Sequence, residues 1–154
     1  AYFGRGTQTV DYNIAVNHFG RKTGSEILAS GALADAAKKI FRGTIDFKRG
    51  CADSVGSENE TVLMLGDDAV NKTVPLILCA EENVEGTHGA TIGELDAATL
   101  FYFESRGIDR AAAQAILSRA AIERLIRMAD DKAFAAAAEA ALEAVLGDKG
   151  GKDA

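Results

Sequence analysis

The composition of the chain changes near residue 91, and this change limits the possible folds more than any other feature. Glycine and β-forming residues dominate the first part, whereas alanine dominates the second part and turn-forming residues become rare there. Short apolar runs between turns are typical of strands, and alanine-rich stretches are typical of helices. We therefore predict a mainly β part over residues 1–91, an α-helical part over residues 92–147 and a disordered tail over residues 148–154.

The first part contains short apolar runs that we interpret as strands. No helical period connects them, which favours an all-β layer, and a sandwich, a barrel and a solenoid would all produce this pattern. No exact repeat is visible that would choose among the three. Pro75 is expected at the start of its strand, where a missing backbone donor matters least. The predicted strands cover residues 9–16, 25–29, 39–47, 61–65, 74–79 and 83–85.

The second part is predicted to contain three helices. Thr91 and Glu94 have the spacing of a capping box, which places the start of the first helix there. Gly107 fits a left-handed cap at the end of that helix. Aspartates are the other N-cap candidates, namely Asp96 for the first helix, Asp109 for the second, and Asp130 or Asp131 for the third.

The second helix carries two apolar sets that point in opposite directions, at about 100° per residue. Either other parts of the same chain pack on both faces, or one half of the helix contacts a partner. The two sets are Ala113, Ile116, Leu117 and Ala120, and then Ile122, Leu125, Ile126 and Ala129.

The overall composition excludes several classes of function. The net charge is −6, which argues against binding to a nucleic-acid backbone or to an anionic membrane surface. Hydrophobic residues make up 47% and charged residues 26%, which is ordinary for a globular domain. No nucleotide-binding, serine-hydrolase or zinc-protease motif occurs, so we expect no enzymatic activity. The start at Ala1 without an initiator methionine indicates an incomplete subunit.

His88 is the residue with the most informative neighbours. Gly86 and Gly89 flank it, so the backbone can approach a ligand or another chain there. Cys79 lies upstream and would share a face with His88 if their strands stack, and both residue types are good iron ligands. One chain offers too few ligands for a closed cluster, so a cluster here is expected to be transient or shared. His18 and Cys51 are interpreted as structural residues.

Phe101, Tyr102 and Phe103 are consecutive in a chain that is otherwise poor in aromatic residues. Three successive helical residues span about 200° of the helix circumference, so at least one of them lies off the core-facing side. Either Tyr102 covers the junction between helix and sheet, or the aromatic residues form a docking surface.

Five blocks of the sequence resemble the C-terminal region of the SufB/SufD family, whose members are scaffold proteins of iron–sulfur cluster assembly. The blocks follow one another in the order and spacing of that family. They are Phe41–Ile45, Glu60–Leu65, Pro75, His88–Gly93 and Leu100–Ile108.

This resemblance implies a right-handed parallel β-helix, of which the last coils are present, followed by a C-terminal α-helical subdomain. It implies a cytoplasmic, non-enzymatic scaffold with no stably bound cofactor and at most a transient iron–sulfur cluster. Family members dimerise through the β-helix, with themselves or with a second SufB/SufD-type subunit, and dock an ABC-type ATPase through their C-terminal helices. The docking candidates in this sequence are Phe101, Tyr102, Ser105, Arg106 and Gly107.

The family's functional positions are only partly present in this sequence. His88 matches the family's histidine, and Gly89 matches the SufD-like form. Gly86 stands where SufD-like members often have cysteine, and Ala69 lies near a functional cysteine of SufB-like members. Cys79 lies near a family cysteine and is, with His88, the candidate for cluster assembly or metal binding.

The missing cysteines keep an alternative open, namely a structural β-solenoid module for oligomerisation without cluster chemistry. A solenoid enzyme or sugar-binding module is a third reading, although no row of acidic residues is apparent. Typical family members are more than twice as long as this chain. We expect the cut end, near residues 1–20, to pair with another copy because a severed solenoid exposes a strand edge.

Overall fold

A computed structural model describes residues 1–147, which form seven strands followed by three helices. The strands make two parallel sheets with the orders β1-β3-β5-β7 and β2-β4-β6, so consecutive strands alternate between the sheets. The strands are β1 Tyr2–Gly4, β2 Thr9–His18, β3 Gly24–Leu33, β4 Lys38–Phe47, β5 Ser54–Met64, β6 Val70–Cys79 and β7 Val84–Glu94. The helices are α1 Ala97–Glu104, α2 Arg110–Met128 and α3 Lys132–Gly147.

The alternation of strands between two parallel sheets makes the first part a β-helix, as predicted. Thr9 of β2 pairs with Lys38 of β4, 29 residues later, and Lys38 pairs with Val70 of β6, 32 residues later. Each coil therefore adds one strand to each sheet and takes roughly 30 residues. The repeat is invisible in the sequence because the coil length varies and different residues fill equivalent positions.

Tight turns stack at the corners of the β-helix. Asp35 adopts a left-handed conformation with φ of 54°, and its carboxylate accepts a hydrogen bond from the Gly6 backbone N–H at 2.7 Å. The backbone of Asp35 also lies against Gly66 of the next coil, where any Cβ atom would overlap it. Lys22 and Asp53 are the left-handed residues of the opposite corner. These polar contacts between coils help to hold the register of the strands.

The interior is filled by alternate residues of the strands. In β4, inward-facing Phe41, Ile45 and Phe47 are buried and form an apolar cluster with Ile27 and Cys51. Alternate residues of β4 face outward and are half-buried. The two-residue period of a strand thus separates the core from the surface.

A buried charged network crosses the interior from the first coil to the last. Lys39 and Glu60 form an ion pair in which both side chains are almost completely buried. The carboxylate of Glu60 also accepts hydrogen bonds from the hydroxyl groups of Tyr2 and Thr73. Burial and the nearby Glu60 raise the pKa of the Tyr2 phenol above its ordinary value. The network therefore links strands β1, β4, β5 and β6 through one carboxylate.

The predicted caps of the helices are mostly confirmed. Asp109 caps α2 by accepting a hydrogen bond from Ala112 N at 2.8 Å, and Asp131 does the same at the start of α3. Gly107 has φ of 76° just beyond α1, as a left-handed cap requires. Within residues 1–147, no helix combines the length and the apolar character needed to cross a membrane.

The predicted capping box at Thr91 and Glu94 is wrong. Strand β7 continues to Glu94, and Asp96 is the residue that caps α1, accepting a hydrogen bond from Thr99 N at 2.7 Å. Thr91 stays extended because β7 pairs with β5 along its whole length, which outweighs the local capping pattern. The strands therefore end, and the helices begin, at residues 95–96. The predicted tail, residues 148–154, lies outside the described residues.

Other strand predictions also need correction, since β1 was not predicted and β3 and β6 are longer than the predicted residues 25–29 and 74–79. Pro75 lies in the middle of β6 and not at its start. It is tolerated there because β6 is the last strand of its sheet and pairs on one side with β4. Strands β5 and β7 are also longer than predicted, because their polar halves are held in the sheet by pairing with the neighbouring coil.

Helix α2 packs along its whole length, with Ala113 and Ser118 buried in its first half and Ile122 and Ile126 in its second half. Ile122 and Ile126 are buried against Leu142 of α3, and Phe3 of β1 packs on the same cluster. The hydroxyl of Ser30 on β3 donates a hydrogen bond to Ala121 O at 2.8 Å, which ties α2 to the sheet. The second apolar set is thus packed within the chain, whereas the first set is divided, since Ala113 is fully buried and Ile116 is 46% exposed. The pairing of residues 1–20 with another copy stays a prediction.

Candidate functional site

His88 lies at the open end of the β-helix, in the middle of β7. It pairs in register with Glu58 of β5, which is buried in the interior. Residues paired in a parallel sheet project from the same side, so His88 also points toward the axis of the solenoid. No further coil among the described residues covers β7, and His88 is therefore exposed. An inward-facing position thus becomes an accessible one.

Gly86 and Gly89 beside His88 have different surroundings. A Cβ atom at Gly86 would lie 2.9 Å from Ile77 of β6 and 3.1 Å from Phe47. Gly86 is therefore required by packing across the interior, and a cysteine would not fit at this position without a shift of Ile77. A Cβ atom at Gly89 would meet Asn59 Oδ1 at 3.0 Å. Of the two glycines, Gly86 is the one fixed by a crowded apolar contact.

Cys79 faces the same open end as His88 but at another point. It pairs with Phe47 in register and is exposed, as His88 is. The contact between Ile77 and Gly86 lies between them, with Cys79 on one side and His88 on the other. At about 3.3 Å per strand residue, the two positions are offset by roughly 13 Å along the strands, in addition to the separation of the two sheets. Because β6 and β7 belong to different sheets, the two strands do not stack, and the arrangement that would have placed Cys79 and His88 on one face is not formed.

The acidic residues next to His88 are buried. Burial raises the pKa of the Glu58 carboxyl, the neighbouring His88 lowers it, and the neighbouring Glu60 raises it. Within residues 1–147, no group of three or more histidine, cysteine, aspartate or glutamate residues is arranged to hold a metal ion.

His18 has the structural role that its sequence context suggested. Its Nδ1 lies 2.6 Å from Thr23 Oγ1 and its Nε2 lies 2.8 Å from Ser25 Oγ, so both ring nitrogens have hydrogen-bond partners. Its ring packs on Phe47 with a centroid distance of 4.7 Å. Cys51, the other interpreted structural residue, is fully buried in the same apolar cluster.

The docking candidates form one exposed surface at the end of α1, which we call the α1 cap and define as Phe101, Tyr102, Ser105, Arg106 and Gly107. Phe101 is 71% exposed and Tyr102 is 54% exposed. The guanidinium of Arg106 stacks 3.7 Å from the centre of the Tyr102 ring, and it also donates to Tyr102 O. Ser105 Oγ donates to the same carbonyl at 2.8 Å. Tyr102 is therefore about half exposed, with an arginine stacked on its ring.

The residue that sequence reasoning missed is Glu58. Glutamate in a strand is ordinarily read as exposed, yet Glu58 is 2% exposed. The signal that could have revealed it is the spacing of the coils, which places Glu58 one coil before His88.

Comparison with known proteins places this geometry in a family. Residues 1–121 match the family described as SUF system FeS cluster assembly, SufBD core domain. The chain belongs to the SufBD family. Its β-helix and its histidine at the open end are therefore features of a member of an iron–sulfur cluster assembly family.

Several curated proteins of the SufBD family are similar to the chain. The iron–sulfur cluster assembly protein SufD of Bacillus subtilis is 32% identical over 114 residues, which cover 74% of this chain and 26% of that protein. SufD of Escherichia coli is 29% identical over 85 residues, covering 55% of this chain and 20% of that protein. A chloroplastic SufBD family protein of Arabidopsis thaliana is 26% identical over 110 residues, covering 71% and 20%. The chain thus spans about a quarter or less of these relatives.

Proposed function

We propose that the chain is a non-enzymatic, cytoplasmic scaffold component of iron–sulfur cluster assembly. The observation that carries this proposal is the position of His88, which points toward the solenoid axis on a last coil that leaves it accessible. Membership of the SufBD family supplies the chemical context. In this role His88 binds iron or sulfur while a cluster is being built, and no cofactor stays on the chain.

The ligands for such a cluster are shared between two scaffold chains. His88 and Cys79 are too far apart to bind one ion, so a second chain has to supply further ligands at the same place. Strand β6 offers an apolar surface for that chain, because Val74, Leu76 and Leu78 are between 42% and 51% exposed. Both β6 and β7 are edge strands with one unpaired side, which can add a strand from a partner. The partner is a second copy or a SufB/SufD-type subunit.

The α1 cap is the proposed contact for an ABC-type ATPase. Exposed aromatic residues beside an arginine are typical of the energetic centre of a protein–protein interface. Phe101 and Tyr102 supply apolar area, and the stacked Arg106 supplies a charge that is already positioned. Because Ser105 and Arg106 both bind the Tyr102 carbonyl, the surface loses little side-chain entropy when it binds.

The docking proposal is tested by calorimetric titration of the full chain with the ABC-type ATPase of the same organism. Arg106→Glu is expected to weaken binding by at least tenfold, because it removes the stacked cation and reverses the charge. Arg124→Glu is the matched control, since it makes the same change of charge at an exposed position on α2. Equal binding by native chain and Arg106→Glu would refute docking at the α1 cap.

The second candidate function is a structural oligomerisation module without cluster chemistry. The separation of Cys79 from His88 favours it, as does the absence of a cysteine at Gly86. Anaerobic addition of Fe²⁺ and sulfide to the assembled protein separates the two functions. A cluster absorption that is lost in His88→Asn supports the assembly role. An identical spectrum with native chain and His88→Asn supports the structural module.

A further inference from the structure

Glu58 is a buried carboxylate that the packing of the core does not explain. Its carboxylate fills the space above Gly43 on the opposite strand, where any Cβ atom would overlap it. One of its oxygens, Oε2, has no hydrogen-bond partner among the described residues. A buried polar atom without a partner costs free energy, about 1–3 kcal/mol in proteins. Glu58 Oε2 is therefore a buried hydrogen-bond acceptor that is available to a donor.

The neighbouring acid, Glu60, has partners for its carboxylate in the same interior. Glu60, two residues along β5, is contacted by Lys39, Tyr2 and Thr73. Lys39 is the buried cation nearest to these acids, and its ammonium group is already engaged by Glu60 and Thr73. Glu58 Oε2 has no such partner among the described residues. Two acids on the same face of one strand are thus in different states, one fully paired and one not.

His88 is the donor that the fold places next to Glu58. The two residues are register partners on adjacent strands, about 4.8 Å apart, and both side chains point inward. His88 has exposed surface on its other side, because no coil among the described residues follows β7. An imidazole in this place can therefore face a buried acceptor with one nitrogen and the solvent with the other.

We propose that Glu58 is a positioning residue for His88, accepting a hydrogen bond from one ring nitrogen so that the other is directed out of the open end. The proposal rests on the proposed function in one respect, namely that the outward nitrogen binds iron or sulfur. A carboxylate behind a histidine fixes its tautomer and its orientation and makes the free nitrogen a better ligand. Glu58 itself does not touch iron or sulfur in this arrangement.

The test is the tautomer of His88, read from long-range ¹H–¹⁵N spectra of the full chain at one pH above the titration range of histidine. His88→Asn assigns the signals, and His18 serves as an internal reference because both its nitrogens are held by Thr23 and Ser25. Native chain is expected to show one dominant tautomer of His88, and Glu58→Gln a mixture. Glu85→Gln is the matched control, since it removes an acid from the outward face of β7. The same His88 tautomer ratio in native chain and Glu58→Gln would overturn the proposal.

Zn²⁺ titration of the same proteins separates this proposal from the proposed function. Glu58→Gln is expected to weaken binding about 10- to 100-fold, as changes behind a metal-bound histidine do. A changed tautomer with Zn²⁺ binding that His88→Asn does not alter would support the positioning role and contradict the ligand role of His88. If Glu58→Gln does not fold, the carboxyl ¹³C shift of Glu58 is compared in native chain and His88→Asn. A shift that moves supports the contact, and one that stays the same overturns it.

Discussion

Equivalent positions are buried in the middle coil of the β-helix and exposed in its last coil. Phe47 in the middle coil is fully buried, and its register partner Cys79 in the last coil is exposed. Glu58 is buried in the same way, and its partner His88 is exposed. Both members of each pair point toward the solenoid axis. What differs is whether another coil lies above them.

This difference shows how a solenoid can make a core position accessible without forming a separate cleft. A position that holds the core in one coil becomes a presentation site in the coil that has no neighbour. The backbone around His88 remains held by β5 along the whole of β7, so the side chain is accessible on a fixed strand. A side chain on a fixed strand is held more accurately than one on a loop.

The largest effect is expected when the two members of one such pair are each truncated in separate variants. Phe47→Ala is expected to lower the free energy of unfolding by about 3–5 kcal/mol, since it removes a buried ring and leaves a cavity. Cys79→Ala at the equivalent position is expected to change it by less than about 0.5 kcal/mol. Guanidinium denaturation of the two variants measures both values. Similar losses for both would mean that the last coil is covered in solution.

Breaking the ion pair that links the coils is expected to have a somewhat smaller effect on the free energy of unfolding. Lys39→Met leaves the Glu60 carboxylate buried without its cation and is expected to cost about 3 kcal/mol in the free energy of unfolding. The hydroxyl groups of Tyr2 and Thr73 remain as donors, which keeps the loss at the lower end of the usual range.

The double variant Lys39→Met with Glu60→Leu is the control for this prediction, measured in the same denaturant. It removes both charges, so it is expected to recover most of the stability lost in Lys39→Met. A double variant that is less stable than Lys39→Met would show that the charged network itself stabilises the stack of coils.

Features encoded by neighbouring residues could be predicted from the sequence, and features encoded by stacking could not. The start of α2 after Asp109 and the left-handed Gly107 were predicted because caps depend on residues within one turn. The polar halves of β5 and β7 were missed because pairing with another coil holds them in the sheet. The capping pattern at Thr91 was outweighed by the same pairing.

The same distinction between local signals and stacking applies to the candidate site. His88 was found from its motif, and the α1 cap from its consecutive aromatic residues, which are both local signals. The burial of Glu58 depends on a residue roughly 30 positions away, and no spacing inside β5 reveals it. The distance between Cys79 and His88 likewise depends on how β6 and β7 face each other across the interior.

The smallest effect on stability, and the sharpest test of the open end, is expected from Leu76→Lys on the outward face of β6. Leu76 is already 46% exposed, so the free energy of unfolding should change by less than about 0.5 kcal/mol. Association with a partner should nevertheless weaken, because a lysine on an edge strand opposes the addition of another strand. Sedimentation at matched concentrations measures this association.

Val55→Lys is the control, since Val55 is 49% exposed on a strand with neighbours on both sides. Weaker association in both variants would point to a general effect of charge, whereas a loss confined to Leu76→Lys would place the interface at the last coil.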